Sequence, residues 1–262
     1  MSIQLVPIFM SALGCISSSI AACIGFYNIY IVLSHEYFRK KYEYQLFFFR
    51  FNADFVMTAF SSMYYFLLIV SLICGADHLL ATIEYWLGLI VSSSATIRVV
   101  TSFLIVVERT LSVYFPIYFK NYRILIPKML LPLLASSFAL IDNFILYVVC
   151  DYTFIPNLSC VIFTSQINTC FLKYYSMNKT IMYGCTGAVS IAFCMKFFIF
   201  DMVKVRHEKL SRVNKLALID TVIVLLFDFS SSFIASRTIF IYEEMGPYDA
   251  APKCLAERLN QL

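Results

Sequence analysis

Three ionisable side chains, Arg98, Asp142 and Asp228, lie deep inside long apolar stretches of this 262-residue sequence. If those stretches are membrane-spanning helices, a rise of about 1.5 Å per residue puts each charge roughly 14–20 Å from a helix end, near the bilayer middle. A lone charge at that depth is costly, so Arg98 is expected to pair with Asp142 or Asp228. Such a pair is either a structural ion pair or part of a ligand-binding or switching element, and the residue types leave both open. Lys196, Arg237 and Asp220 also fall within apolar runs, but close to their ends. There a long basic chain snorkels to the interface and a helix N-terminus favours a carboxylate, so these three read as interfacial.

A second constellation is Val107-Glu108-Arg109-Thr110-Leu111-Ser112-Val113-Tyr114-Phe115-Pro116, an acid–arginine pair followed by an aromatic stretch and a proline. By itself it is ordinary: arginine collects at cytoplasmic helix ends, and Tyr114, Tyr118 and Tyr122 suit an aromatic belt. Enzyme chemistry finds no support. His35, His78 and His207 lie in separate loops, and the sequence contains no H-E-x-x-H, no phosphate-binding glycine loop and no G-x-S-x-G. No cofactor or metal is expected. Cys15, Cys23, Cys185 and Cys194, all within apolar runs, read as small packing residues.

The elements that position these groups follow from composition. Hydrophobic residues make up 61% of the chain and charged ones 14%, whereas soluble domains run near about 45–50% and roughly a quarter. A soluble fold could not hide that much apolar surface, which excludes a soluble enzyme, a disordered chain and a nucleic-acid-binding domain. The partner is the lipid bilayer. Apolar segments are long and continuous rather than alternating every ten residues or so, which favours helices over a barrel. Six runs are legible, at about 5–33, 55–74, 85–107, 129–149, 181–200 and 216–242, with a polar tail at 243–262. The first has no basic start and exceeds a signal-peptide core, so it reads as an uncleaved helix. The expected fold is therefore an all-α polytopic membrane bundle, a single domain of six transmembrane helices.

Orientation follows from basic residues. The connectors after the first, third and fifth runs hold 13 Lys+Arg, against 4 in the N-terminus, the other two loops and the tail. The N-terminus is thus expected outside, and with six spans the C-terminus also. Cys74, Cys150, Cys160 and Cys170 then all face the oxidising side, and their three pairings stay open. Two sequons, at Asn157 and Asn178, share the same outer loop, and Asn157 is the better placed because Asn178 abuts the fifth run.

At this point the chain resembles the seven-transmembrane, rhodopsin-like receptors, and among them the nematode serpentine chemoreceptors of class bc. The resemblance rests on the Glu108–Pro116 segment with Asn121-Tyr122-Arg123, on Ile167-Asn168-Thr169-Cys170-Phe171-Leu172-Lys173-Tyr174-Tyr175, and on Asn214-Lys215-Leu216-Ala217-Leu218-Ile219-Asp220-Thr221 continuing to Phe227-Asp228-Phe229. It implies a multi-pass receptor of the plasma membrane, in sensory neurons, that binds an external small molecule. It also implies a switch in which Glu108 holds Arg109 at rest and releases it towards a heterotrimeric G protein, with 204–215 part of the docking face.

The sequence departs from that pattern in several places. No cysteine stands near the outer end of the third run, so the usual bridge from there is not expected, and Cys74 is a possible substitute. The second run has no aspartate at its middle, so a cation pocket of the usual kind is not expected either. Trp86 reads as an interface anchor. After Gly246-Pro247-Tyr248 the remaining residues are too short and polar to span, so no seventh helix is expected. Two other readings follow: a truncated, non-signalling receptor-like protein, and a six-helix transporter or channel with Arg98, Asp142 and Asp228 on a polar path. Against the transporter, runs one to three do not echo four to six. With six spans, an epitope tag after Leu262 should be stained on intact cells, and a tag reached only after permeabilisation would refute the count.

Overall fold

The computed structural model describes residues 5–35, 45–75, 77–123, 127, 129–154, 163 and 167–203, and every regular element among them is helical. In chain order these are α1 (Leu5–Ser34), α2 (Gln45–Cys74), α3 (His78–Tyr114), α4 (Pro116–Arg123), α5 (Leu130–Phe144), a π-helical turn at Ile145–Val149, and α6 (Thr169–Val203). Segments in α1, α2, α3 and α5 with its π-helical turn are long and apolar enough to cross a membrane. The sixth expected run, with Asp220, Asp228 and Arg237, lies outside the described residues, as do the polar tail, Asn157 and Cys160.

Helix α3 is the central pillar, packed against α2, α5 and α6, while α1 packs on α2 at the periphery. The α1–α2 contact uses small residues, as helices in lipid do. The Ser19 and Ser62 hydroxyls lie 2.6 Å apart, and the position of a Cβ on Gly14 would come within 3.0 Å of the Tyr65 ring. The opposite face of α1 exposes Phe9, Leu13, Ile16, Ile20, Ile24 and Tyr27. Such a stripe suits hydrocarbon and not water.

Two apolar clusters cap the bundle. One holds Leu46, Phe47 and Ile105, packed by Phe51, Leu104 and Leu131, at the end that carries Arg109. The other holds Tyr85, Leu146, Tyr152, Ile167 and Phe171, and a disulfide between Cys150 and Cys170 ties it together. Of the candidate cysteines Cys74 is free and exposed, so it does not substitute for a bridge to the long connection between α5 and α6. Gly75, at φ 91°, ends α2 in the left-handed conformation that glycine adopts without penalty, its N–H bonded to the Ser71 carbonyl at 3.1 Å.

Several helices run further than the apolar runs suggested. Helix α2 begins at Gln45 rather than near residue 55, α3 spans His78–Tyr114 rather than 85–107, and α6 begins at Thr169 rather than near 181. The second half of the expected 150–179 loop is therefore helix, and part of the loop after α3 is α4, which opens on Pro116 at the first helical position. Some of the polar residues that seemed to end the runs are turned inward and pair there. Arg50 and Asp54, one turn apart on α2, lie 3.6 Å from each other.

The sulfur arrangement predicts a labelling pattern. A water-soluble maleimide should modify Cys74 in the folded protein, and Cys150 and Cys170 only after reduction, as read by peptide mapping. Because the bridge closes a 20-residue separation, the Cys150→Ala/Cys170→Ala protein should lose about 2–4 kcal/mol of stability.

Candidate functional site

Between the two apolar clusters lies a layer of charge, organised on both sides of α3. On one side the Arg98 guanidinium meets the Asp54 carboxylate of α2 at 3.0 Å. On the other, the Thr96 hydroxyl donates to Oδ2 of Asp142 on α5, and Nζ of Lys179 on α6 donates to Thr96 Oγ1 at 2.8 Å. The second Asp142 oxygen accepts from the Tyr174 hydroxyl at 3.0 Å and from Asn178 Nδ2 at 3.4 Å. Lys179 also lies 4.9 Å from the centre of the Tyr175 ring. Asp142 and Lys179 are 4% and 8% exposed, so opposite charges are held in the interior with a hydroxyl between them, where isolated charges would be costly.

Only part of the expected pairing falls among the described residues, because Asp228, one of the two carboxylates expected for Arg98, lies outside them. Arg98 takes Asp54, a residue expected in a loop, and Asp142 is met by Thr96, Tyr174 and Asn178. Asp54 therefore belongs to the first half of α2 rather than to the loop before it. Asn178 directs its amide into the bundle at Asp142 and Tyr174, which is no position for a glycan. Lys179, Tyr174 and Thr96 were not singled out beforehand. The available signal was spacing: Thr96 stands two residues before Arg98, and Lys179 continues the helical face of Tyr175.

A cavity of about 410 Å³ opens above this layer, between α2, α3 and the start of α6. Its walls are Ser61, Tyr64, Tyr65 and Leu68 from α2, Gly88, Val91, Ser92 and Ala95 from α3, Phe163, and Ile167, Phe171, Leu172 and Tyr175 at and before α6. Ligand sites are commonly concave, mostly apolar and of this size. Tyr175 links the cavity to the charged layer, donating to the Ser92 carbonyl at 3.5 Å. Gly88 is required by close approach, because a Cβ there would sit 2.5 Å from the Phe163 ring.

At the far end of α3, Glu108 and Arg109 are both buried, with the Arg109 guanidinium 5.7 Å from the centre of the Phe47 ring on α2. Near them Lys196 rests its ammonium 3.9 Å above the Tyr114 ring, and the Tyr114 hydroxyl donates to the Ala192 carbonyl at 3.1 Å. Lys196, expected to snorkel, thus fastens α6 to the end of α3.

Comparison with known proteins places this architecture. The family model described as Serpentine type 7TM GPCR chemoreceptor Srbc matches residues 3–260. No curated protein matches.

The charged layer can be tested by a double-mutant cycle. Lys179→Met leaves the buried Asp142 carboxylate with neutral donors alone, and should cost about 3–5 kcal/mol of stability. Adding Asp142→Asn should return most of that loss, measured as thermal unfolding in lipid nanodiscs. Additive losses would show that the two residues do not form one network.

Proposed function

Since the chain belongs to the Srbc family of serpentine chemoreceptors, we propose that it binds an external small molecule in the cavity between α2, α3 and α6 and signals through a heterotrimeric G protein at the Arg109 end. The observation that carries this reading is that one helix serves both ends. Helix α3 supplies Gly88, Val91, Ser92 and Ala95 to the cavity and Glu108 and Arg109 to the opposite end. From Ala95 to Arg109 is roughly 21 Å along the helix axis.

The charged layer stands between them and touches both α2 and α6. A ligand acts by preferring one of two helix arrangements, and it shifts the equilibrium only by its difference in affinity for them. Contacts that reach Tyr175 and Ser92 bear on the Thr96–Lys179 network, and through it on the packing of α6 against α3. In one arrangement Arg109 stays buried beside Phe47. In the other the Tyr114–Ala192 and Lys196–Tyr114 contacts release, α6 moves away and Arg109 becomes available to a Gα subunit. The working location is the plasma membrane of a sensory neuron, with the cavity end outside.

The test is a response assay in cells that express the full chain with a Gα subunit, screened with volatile and water-soluble small molecules. Arg109→Ala should reduce stimulated nucleotide exchange by at least about tenfold with surface expression unchanged. Normal signalling by that variant would defeat the switch assignment. Absence of any response in the unaltered chain, despite surface expression, would favour a non-signalling receptor-like protein.

A further inference from the structure

Glu84 is fully buried on α3, at 0% exposure, and among the described residues neither carboxylate oxygen has a well-aligned hydrogen bond, its one polar neighbour being the Ser71 hydroxyl. Buried carboxylates with so little polar company are rare, because burial removes water's hydrogen bonds and one hydroxyl does not replace them. Its surroundings are set by two facing stripes. On α3, Glu84, Gly88, Val91, Ser92 and Ala95 recur at helical spacing, and on α2 Ser61, Tyr64, Tyr65, Leu68 and Ser71 do the same. The members from Gly88 to Ala95 and from Ser61 to Leu68 wall the cavity. Glu84 and Ser71 form the next rung, about 6 Å further along the axis. Glu84 has the Ser71 hydroxyl within reach and lies near Tyr64 of the cavity wall, while neither Glu84 nor Ser71 is part of that wall.

What would complete this rung is a donor that carries positive charge. The cavity beside it offers the faces and edges of Tyr64, Tyr65, Phe163, Phe171 and Tyr175, with Ser61 and Ser92 as its only other polar side chains among the described residues. Aromatic walls attract a cation and accept an apolar body, and a carboxylate at one end fixes which way round the molecule lies. We propose that Glu84 determines the specificity of this cavity and that its ligands are protonated primary amines carrying an aromatic or branched apolar group. The proposal rests on the reading of the cavity as the ligand site. Glu84 would accept the ammonium N–H groups, Ser71 would share them, and the aromatic walls would hold the body of the molecule.

The experiment uses the full chain in lipid nanodiscs, with 2-phenylethylamine and isoamylamine as probes and 2-phenylethanol and isoamyl alcohol as their uncharged counterparts. Binding is read as ligand-induced shift in the unfolding midpoint across a concentration series. Each amine should bind at least about tenfold more tightly than its alcohol. Glu84→Gln should abolish that preference, bringing each amine's affinity down to that of its alcohol, and Glu84→Asp should retain part of it. Folding is its own readout: relieving a buried carboxylate should leave the unfolding midpoint of Glu84→Gln equal or higher, so a collapse of the fold would mark Glu84 as structural and overturn the proposal. So would equal binding of amine and alcohol, an amine preference that survives Glu84→Gln, or no amine binding at all. Gly88→Phe fills the cavity and separates the two claims. If it leaves binding of all four probes intact, the cavity itself is not the ligand site.

Discussion

Charge inside a membrane must be satisfied within the protein, and α3 is the element through which this bundle meets that requirement. Arg98 and Thr96, two residues apart, point to different neighbours, one towards Asp54 of α2 and the other towards Asp142 of α5 and Lys179 of α6. Helices in lipid gain little from burying apolar surface against one another, since hydrocarbon tails serve as well. The polar layer therefore supplies what apolar packing alone does not: it specifies which helices are neighbours and at what register. The apolar clusters at Leu46–Ile105 and Tyr85–Phe171 then fill the space above and below it.

The same layer separates the two ends that a receptor has to connect. The cavity borders it through Ser92 and Tyr175, and the buried Glu108–Arg109 pair lies beyond it. A tightly packed apolar interior would transmit only what its sterics allow. A hydrogen-bonded layer has discrete partners to exchange, which is the kind of bistable element that switching requires. The chemoreceptor family to which the chain belongs gives a biological setting for such a layer.

Much of the architecture was legible in the chain because apolar length is a local property. The first run at 5–33 is α1 within a residue, and 129–149 is α5 with its π-helical turn. Where runs were broken by polar residues the reading stopped early. Arg50 and Asp54 in α2, Glu84 in α3, and Asn178 and Lys179 in α6 all looked like loop residues, because a single sequence does not say whether a polar side chain faces water or another helix. The candidate site was legible only in part for the same reason. Arg98 and Asp142 were identified by their depth, but their partners sit on other helices, and Asp54, Tyr174 and Asn178 were hidden in segments read as loops.

By itself, then, the sequence determined the class of solvent, the helical secondary structure, the acid–arginine segment at the end of the third helix and the need for buried charges to be paired. Each of these follows from residue type and from spacing along one helix. Tertiary structure decided the pairs: Arg98 with Asp54, Asp142 with Thr96, Tyr174 and Asn178, and Cys150 with Cys170. Pairing depends on the rotation and register of one helix against another. Those are fixed by contacts between residues far apart in the chain, such as Thr96 and Lys179, for which local pattern carries no information.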